Sequence, residues 1–194
     1  MKKIERRYTT VNLRASSDDE KSRKLKGYAA KFNSRSEDLG GFTEVIKEGA
    51  FRKSIESGQP VHALFNHDSS AVLASRDAGT LQISEDKNGL LIEIDVVETT
   101  VGNDLLANIR AGNINKMSFG FFIPEGGDDW TESKDGTVLR TLTDVDLFEV
   151  SPVTFPAYKA TSIETNTRGL DKLMDLKSLK IKSLMLQAQT EAEI

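Results

Sequence analysis

A strand that only has to fill a core gains nothing from a serine. Ser118 nevertheless interrupts the apolar run NKMSFGFF, and Gly120 leaves open space two residues on. The chain has just two histidines, and one of them, His67, ends another apolar stretch, VHALFNH. A serine hydroxyl is a poor nucleophile until a base takes its proton during attack. Imidazole suits that task, because an ordinary pKa of about 6.5 leaves it mostly neutral near pH 7. Glu149, in the run LFEV, offers a carboxylate that can fix the ring's tautomer and stabilise the imidazolium that forms. Backbone amides around Ser118 to Gly120 are candidate oxyanion donors, each worth roughly 3 kcal/mol when preorganised. These residue types point to a serine hydrolase.

Alternate residues of a strand face opposite sides. In 117–123, Met117, Phe119, Phe121 and Ile123 form one greasy row and leave Ser118 and Gly120 on the other face. In 61–67, Val61, Ala63, Phe65 and His67 share a face, so His67 prolongs an apolar row while His62 points the opposite way, to solvent. In 145–149, Val145, Leu147 and Glu149 share a face, which aims the carboxylate with core residues. Burying such groups unpaired costs about 1–3 kcal/mol each, and a mutual arrangement of Ser118, His67 and Glu149 satisfies all three. The plain structural readings are a strand serine, a turn histidine and a glutamate paired with Arg76 or Arg140. Asp144 or Asp146 can take the place of Glu149. With two histidines and no cysteine, the usual zinc donor sets are out of reach, so neither metal nor other cofactor is expected. The absence of a G-x-S-x-G elbow argues against an ordinary esterase.

The elements that must carry these residues are strands for the most part. KGYAAKF (26–32) and VHALFNH (61–67) are strand-like, and EGAFRKSIES (48–57) is a short helix stopped by Gly58 and Pro60. GTLQISED and LLIEIDVVE form a hairpin about Lys87-Asn88-Gly89. Thr99 or Thr100 caps a helix that ends at Gly112. MSFGFFI (117–123) is a strand, TVLRTLTDVDLFEV (137–150) is one long strand, and Pro152 and Pro156 terminate regular structure.

At 194 residues, with 38% hydrophobic and 29% charged residues, the chain is a soluble globular protein with one core. A net charge of −4 argues against nucleic-acid binding, which needs a basic face. No stretch approaches the roughly 20 apolar residues that span a bilayer, and the basic start (Lys2, Lys3, Arg6, Arg7) has no signal-peptide apolar run. The expected division is a polar N-terminal segment over 1–25, in which SSDDEKSRK is a solvated loop, a folded domain over 26–162 and an extension over 163–194. In the extension Leu, Met and Ile recur at helical spacing, the pattern of an amphipathic helix; the segment is expected to be helical or partly disordered, and a helix packed on the domain fits the same pattern.

GYAAKFNSRSEDLGGFTEVIKEGAF, then ALFNHD, VLASRDAGTL, NGLLIEIDV, INKMSFGF and LFEVSPVTFPAY, resemble in order the prohead protease family of HK97-type tailed bacteriophages, over about residues 25 to 160. The resemblance implies an α+β fold of the herpesvirus-protease type, a mostly antiparallel β-barrel with surrounding helices. It implies a serine endopeptidase that is packaged in the procapsid in the host cytoplasm. Such an enzyme removes the scaffolding segment from the major capsid protein and cleaves itself. The family's histidine in its NHD motif falls on His67, its serine in MSFGF on Ser118, and its acidic position before SPV on Glu149. Arg76 stands where the family commonly has an arginine, although Ala74-Ser75 precede it where glycine is more usual. Its role stays open, with charge near the scissile carbonyl as one option. The extension suits docking to scaffold or capsid protein, and a homodimer is consistent by analogy with the herpesvirus enzymes. The competing reading is a non-catalytic capsid assembly or scaffold protein that keeps the protease fold.

Overall fold

The structure, a computed structural model, describes residues 4–9, 13–15 and 22–155. The extension over 163–194 therefore lies outside the described residues, as does most of SSDDEKSRK.

Three sheets carry the fold. The first has the order β1 (Glu5–Thr9), β9 (Lys116–Phe122), β12 (Asp146–Val153), β5 (His62–Phe65) and β6 (Asp68–Ser75). The second pairs β2 (Arg14–Ala15), β3 (Lys24–Lys31), β8 (Gly89–Asp95) and β7 (Leu81–Glu85). A third, smaller sheet joins β10 (Asp128–Glu132), β11 (Val138–Leu142) and β4 (Thr43–Ile46). Among the described residues the hydrogen-bonded ladder does not close, since β1 and β6 are the end strands of the first sheet; three open sheets stand where a closed barrel was expected. Among the described residues there are only α1 (Arg52–Glu56) and α2 (Thr100–Arg110).

Period-2 patterning builds the core. Leu90, Ile92 and Ile94 of β8 are buried in one cluster with Met117, Phe119 and Phe121 of β9 and with Leu105, Leu106 and Ile109 of α2. Phe119 stacks on Phe121 at 5.2 Å and meets Phe51 edge-on at 5.5 Å; such ring pairs contribute about 0.5–1.5 kcal/mol beyond their area. The hairpin and the second helix fall where the sequence puts them. The Asp86 carboxylate accepts from Asn88 N and Gly89 N to tie the turn, and the Thr99 hydroxyl accepts from Gly102 N to cap α2.

Three expectations change. The long strand over 137–150 is two strands in different sheets, β11 and β12, separated at Thr143 to Val145. Pro152 lies inside β12 rather than ending it. Its carbonyl accepts from Asn66 N, so the missing N–H falls on that same side, past the end of β5, and removes no bond to β9. The polar N-terminal segment contains β1, an antiparallel partner of β9 from Glu5↔Phe121 to Thr9↔Met117.

Buried ions fasten β1. Arg140, with no exposed side-chain surface, grips Glu5 at 2.7 and 3.0 Å and bonds Asp128 at 2.8 Å. Arg7 clamps Glu44 through two bonds of 2.7 and 2.8 Å and also reaches Glu5. Burial alone would raise the Glu5 carboxyl, but Arg140 and Arg7 hold it below its ordinary 4.5. Its contribution to stability is therefore present above about pH 4.5 and is lost as the pH falls through the lower, folded-state value. Arg140→Ala takes two bonds from buried Glu5 and one from Asp128, leaving Arg7 as the cation on Glu5, and the expected loss is about 3 kcal/mol by urea unfolding at neutral pH. Glu5→Gln should lower stability at pH 7 while flattening its decline in acid, measured as melting temperature against pH.

Candidate active site

Ser118 and Gly120 occupy the face of β9 opposite Phe119, as their parity requires. On β12 the expected parity fails. Leu147 pairs with Phe121 and Glu149 with Gly120, so Phe148 is an extra residue, a β-bulge. Leu147 accordingly keeps the core side while Glu149 turns to the Ser118 face, not to the core side with Val145 and Leu147. Ser151 is the direct cross-strand partner of Ser118, which puts their Cβ atoms about 5 Å apart.

His67 also escapes its expected row. It is not a strand residue but the second residue of the two-residue turn between β5 and β6, with φ of 62° after Asn66 at 54°. Two positive φ values are the mark of a type I′ turn, which favours glycine at this position. A histidine there bears backbone strain of about 1–2 kcal/mol. Asn66 pins the turn to the end of β12. Its N–H donates to Pro152 O at 3.0 Å, its side-chain oxygen accepts from Thr154 N at 2.8 Å, and its amide donates to Thr154 Oγ1 at 3.2 Å.

So placed, the imidazole meets the carboxylate: His67 Nδ1 lies 2.5 Å from Glu149 Oε1. An ionised carboxylate only accepts, so Nδ1 carries the donated proton, and in the neutral ring Nε2 keeps its lone pair. Ser151 donates to Glu149 Oε2 at 2.5 Å, and Arg6 Nε reaches Oε1 at 3.3 Å. Glu149 is 1% exposed. Burial would raise its carboxyl, yet the hydrogen bonds from His67 and Ser151, with the charges of His67 and Arg6, hold it below the usual value. Gly120 makes the room, because a Cβ there would sit 2.5 Å from Glu149 Oε1 and 2.7 Å from both Glu149 Cγ and Phe148 Cζ.

The third member stands differently. Ser118 is 1% exposed, and its hydroxyl donates to the Arg7 carbonyl of β1 at 2.8 Å rather than to the imidazole. The structure thus joins His67 to Glu149 and sets Ser118 on the same face, with its proton directed elsewhere. Of the other carboxylates, Asp144 binds Lys53 at 2.5 Å, and Asp146 stands opposite Phe122 at the start of β12, three positions before Glu149. Glu149 pairs with neither Arg140, which serves Glu5, nor Arg76, which donates to Ile55 O at 2.6 Å. His62 is exposed, as its parity predicts. Sequence reasoning missed Ser151 and Arg6. Ser151 was discoverable, since residues two apart on a strand share a face; Arg6 was hidden in a segment read as merely polar.

This pairing, a strained imidazole held on a buried carboxylate beside a strand serine, is the context for the family match. The model for the caudovirus prohead serine proteases matches residues 9–175. The chain belongs to that family. It is accordingly a capsid maturation protease of tailed bacteriophages. Among solved structures it is similar to the capsid assembly protease of bacteriophage T4, with 13% identity over 79% of this chain and 98% of that one and a TM-score of 0.49. No curated protein matches it.

Gly120→Ala is expected to keep the strand, whose backbone there needs no left-handed angle, but to displace the Glu149 carboxylate. The low-field proton resonance of a short imidazole–carboxylate hydrogen bond should be present in the wild type and lost in the variant, with little change in the circular dichroism spectrum. Its persistence in Gly120→Ala would mean that the glycine does not set this contact.

Proposed function

We propose that the chain is a serine endopeptidase in which His67, oriented by Glu149, activates Ser118. The observation that carries this reading is the histidine's position. A strained turn residue holds its ring on a buried carboxylate, which leaves Nε2 of the neutral ring available. Catalysis begins when the Ser118 hydroxyl rotates away from the Arg7 carbonyl toward Nε2. As Oγ attacks a peptide carbonyl carbon, its proton passes to Nε2, and Glu149 stabilises the imidazolium. The imidazolium then protonates the leaving amine, and water hydrolyses the acyl-enzyme with His67 again as base. The substrate is the scaffolding segment of the major capsid protein inside the procapsid, with self-cleavage as a further reaction.

A single observation favours the alternative, a non-catalytic assembly protein: the Ser118 hydroxyl is buried and engaged by β1. The two readings part on activity. Co-expressed with its capsid protein and followed by mass spectrometry, the wild type should process the capsid chain. Ser118→Ala and His67→Ala should not, while Glu149→Gln should keep a small remainder. Wild-type processing by Ser118→Ala would end the serine mechanism. Full activity of Glu149→Gln alongside an inactive Asp146→Asn would move the third role to Asp146.

A further inference from the structure

We propose that Ser151 is a positioning residue for this reaction, fixing the Glu149 carboxylate so that one oxygen faces His67; the inference rests on the serine-protease reading above. Two independent features place it. Ser151 is fully buried, and its hydroxyl donates to Glu149 Oε2 at 2.5 Å, the oxygen that His67 does not use. It is also the register partner of Ser118 across β9 and β12, so one strand pair carries the nucleophile and the carboxylate's anchor side by side.

The geometry leaves little else to do this work. Among the described residues the Glu149 carboxylate accepts from His67 of the β5–β6 turn, Arg6 of β1 and Ser151 of its own strand. The Arg6 bond is long, at 3.3 Å, and its side chain is 41% exposed. His67 must gain and lose a proton on its other nitrogen during turnover. Ser151 is the one short, buried contact that stays unchanged through the cycle. A carboxylate free to rotate would offer the ring either oxygen, or neither, and the Nε2 lone pair would lose its aim. His62, the neighbour of Glu149 on β5, is exposed and points to solvent, so it does not replace the hydroxyl.

The test reads nucleophile activation directly, with a fluorophosphonate ester as the probe and the full chain as the enzyme. Ser118 Oγ forms the bond to phosphorus, fluoride leaves, and the hydroxyl proton passes to His67. Intact mass gives the labelling rate across the acid and neutral range. Ser151→Ala is expected to slow labelling about tenfold to a hundredfold, the span for losing one hydrogen bond to a charged group. It should also move the acid limb of the profile to higher pH, because Glu149 without that donor takes up a proton more readily. Ser151→Cys, close in size but a weak donor, should fall between; should the alanine variant not fold, this one decides. Placed in a Glu149→Gln background, Ser151→Ala should add less than about a twofold loss, since residues that act through each other are not additive. Wild-type rates and an unmoved acid limb in folded Ser151→Ala would overturn the proposal. So would an undiminished penalty in the Glu149→Gln background. The parent reading fails separately: Ser118→Ala labelled like the wild type would remove the serine mechanism and this inference with it.

Discussion

An ionised carboxylate at 1% exposure survives only if donors surround it, and Glu149 organises its side of the molecule around that need. Desolvating a lone carboxylate costs far more than the few kcal/mol by which a domain is stable. The structure answers with a hydroxyl from the same strand, a guanidinium from the first strand and an imidazole from a turn. Each donor is drawn to a definite atom. The imidazole is thereby oriented by its bond to the carboxylate in a largely covered position, at 16% side-chain exposure. The strain in the turn at Asn66 and His67 persists because three bonds from Asn66 to Pro152 and Thr154 over-determine it.

A second charged cluster lies on the other side of β1. Along that strand Glu5 and Arg7 face Arg140 and Glu44, while Arg6 and Tyr8 pair with Gly120 and Ser118. One five-residue strand thus links a buried ion network to the reacting face. Ion networks of this kind are poor sources of net stability and costly to break. Here the network fixes register. A one-residue slip of β1 would exchange Arg6 for a residue of the opposite face and carry the Arg7 carbonyl away from Ser118.

Strands, the hairpin and the second helix were legible because apolar alternation, Asn-Gly and a threonine cap each act over a few residues. The face of Ser118 and Gly120 followed from parity alone, and their likeness to a known family carried His67 and Glu149 as well. Parity misled wherever the backbone departs from a plain strand. The bulge at Phe148 reverses the face of Glu149, and the left-handed turn takes His67 off its strand altogether. Neither departure has a glycine to announce it. β1 was missed for a different reason, since its charged residues are satisfied by partners far along the chain that no local pattern reveals. The open sheets were equally invisible, because closure depends on which edges meet.

The bulge makes length as binding as identity. With Leu147 held opposite Phe121, taking Phe148 into the ladder would restore simple alternation and send the Glu149 carboxylate to the core side, opposite Phe119. Every amino acid of the site would still be present, and the machinery would be gone. The loop around Asp135 and Gly136, which only joins β10 to β11, can gain or lose a residue without such a reversal. In this fold a frame of spacing stretches from Leu147 to Pro152, and comparison of related chains should weigh gaps within it as heavily as substitutions.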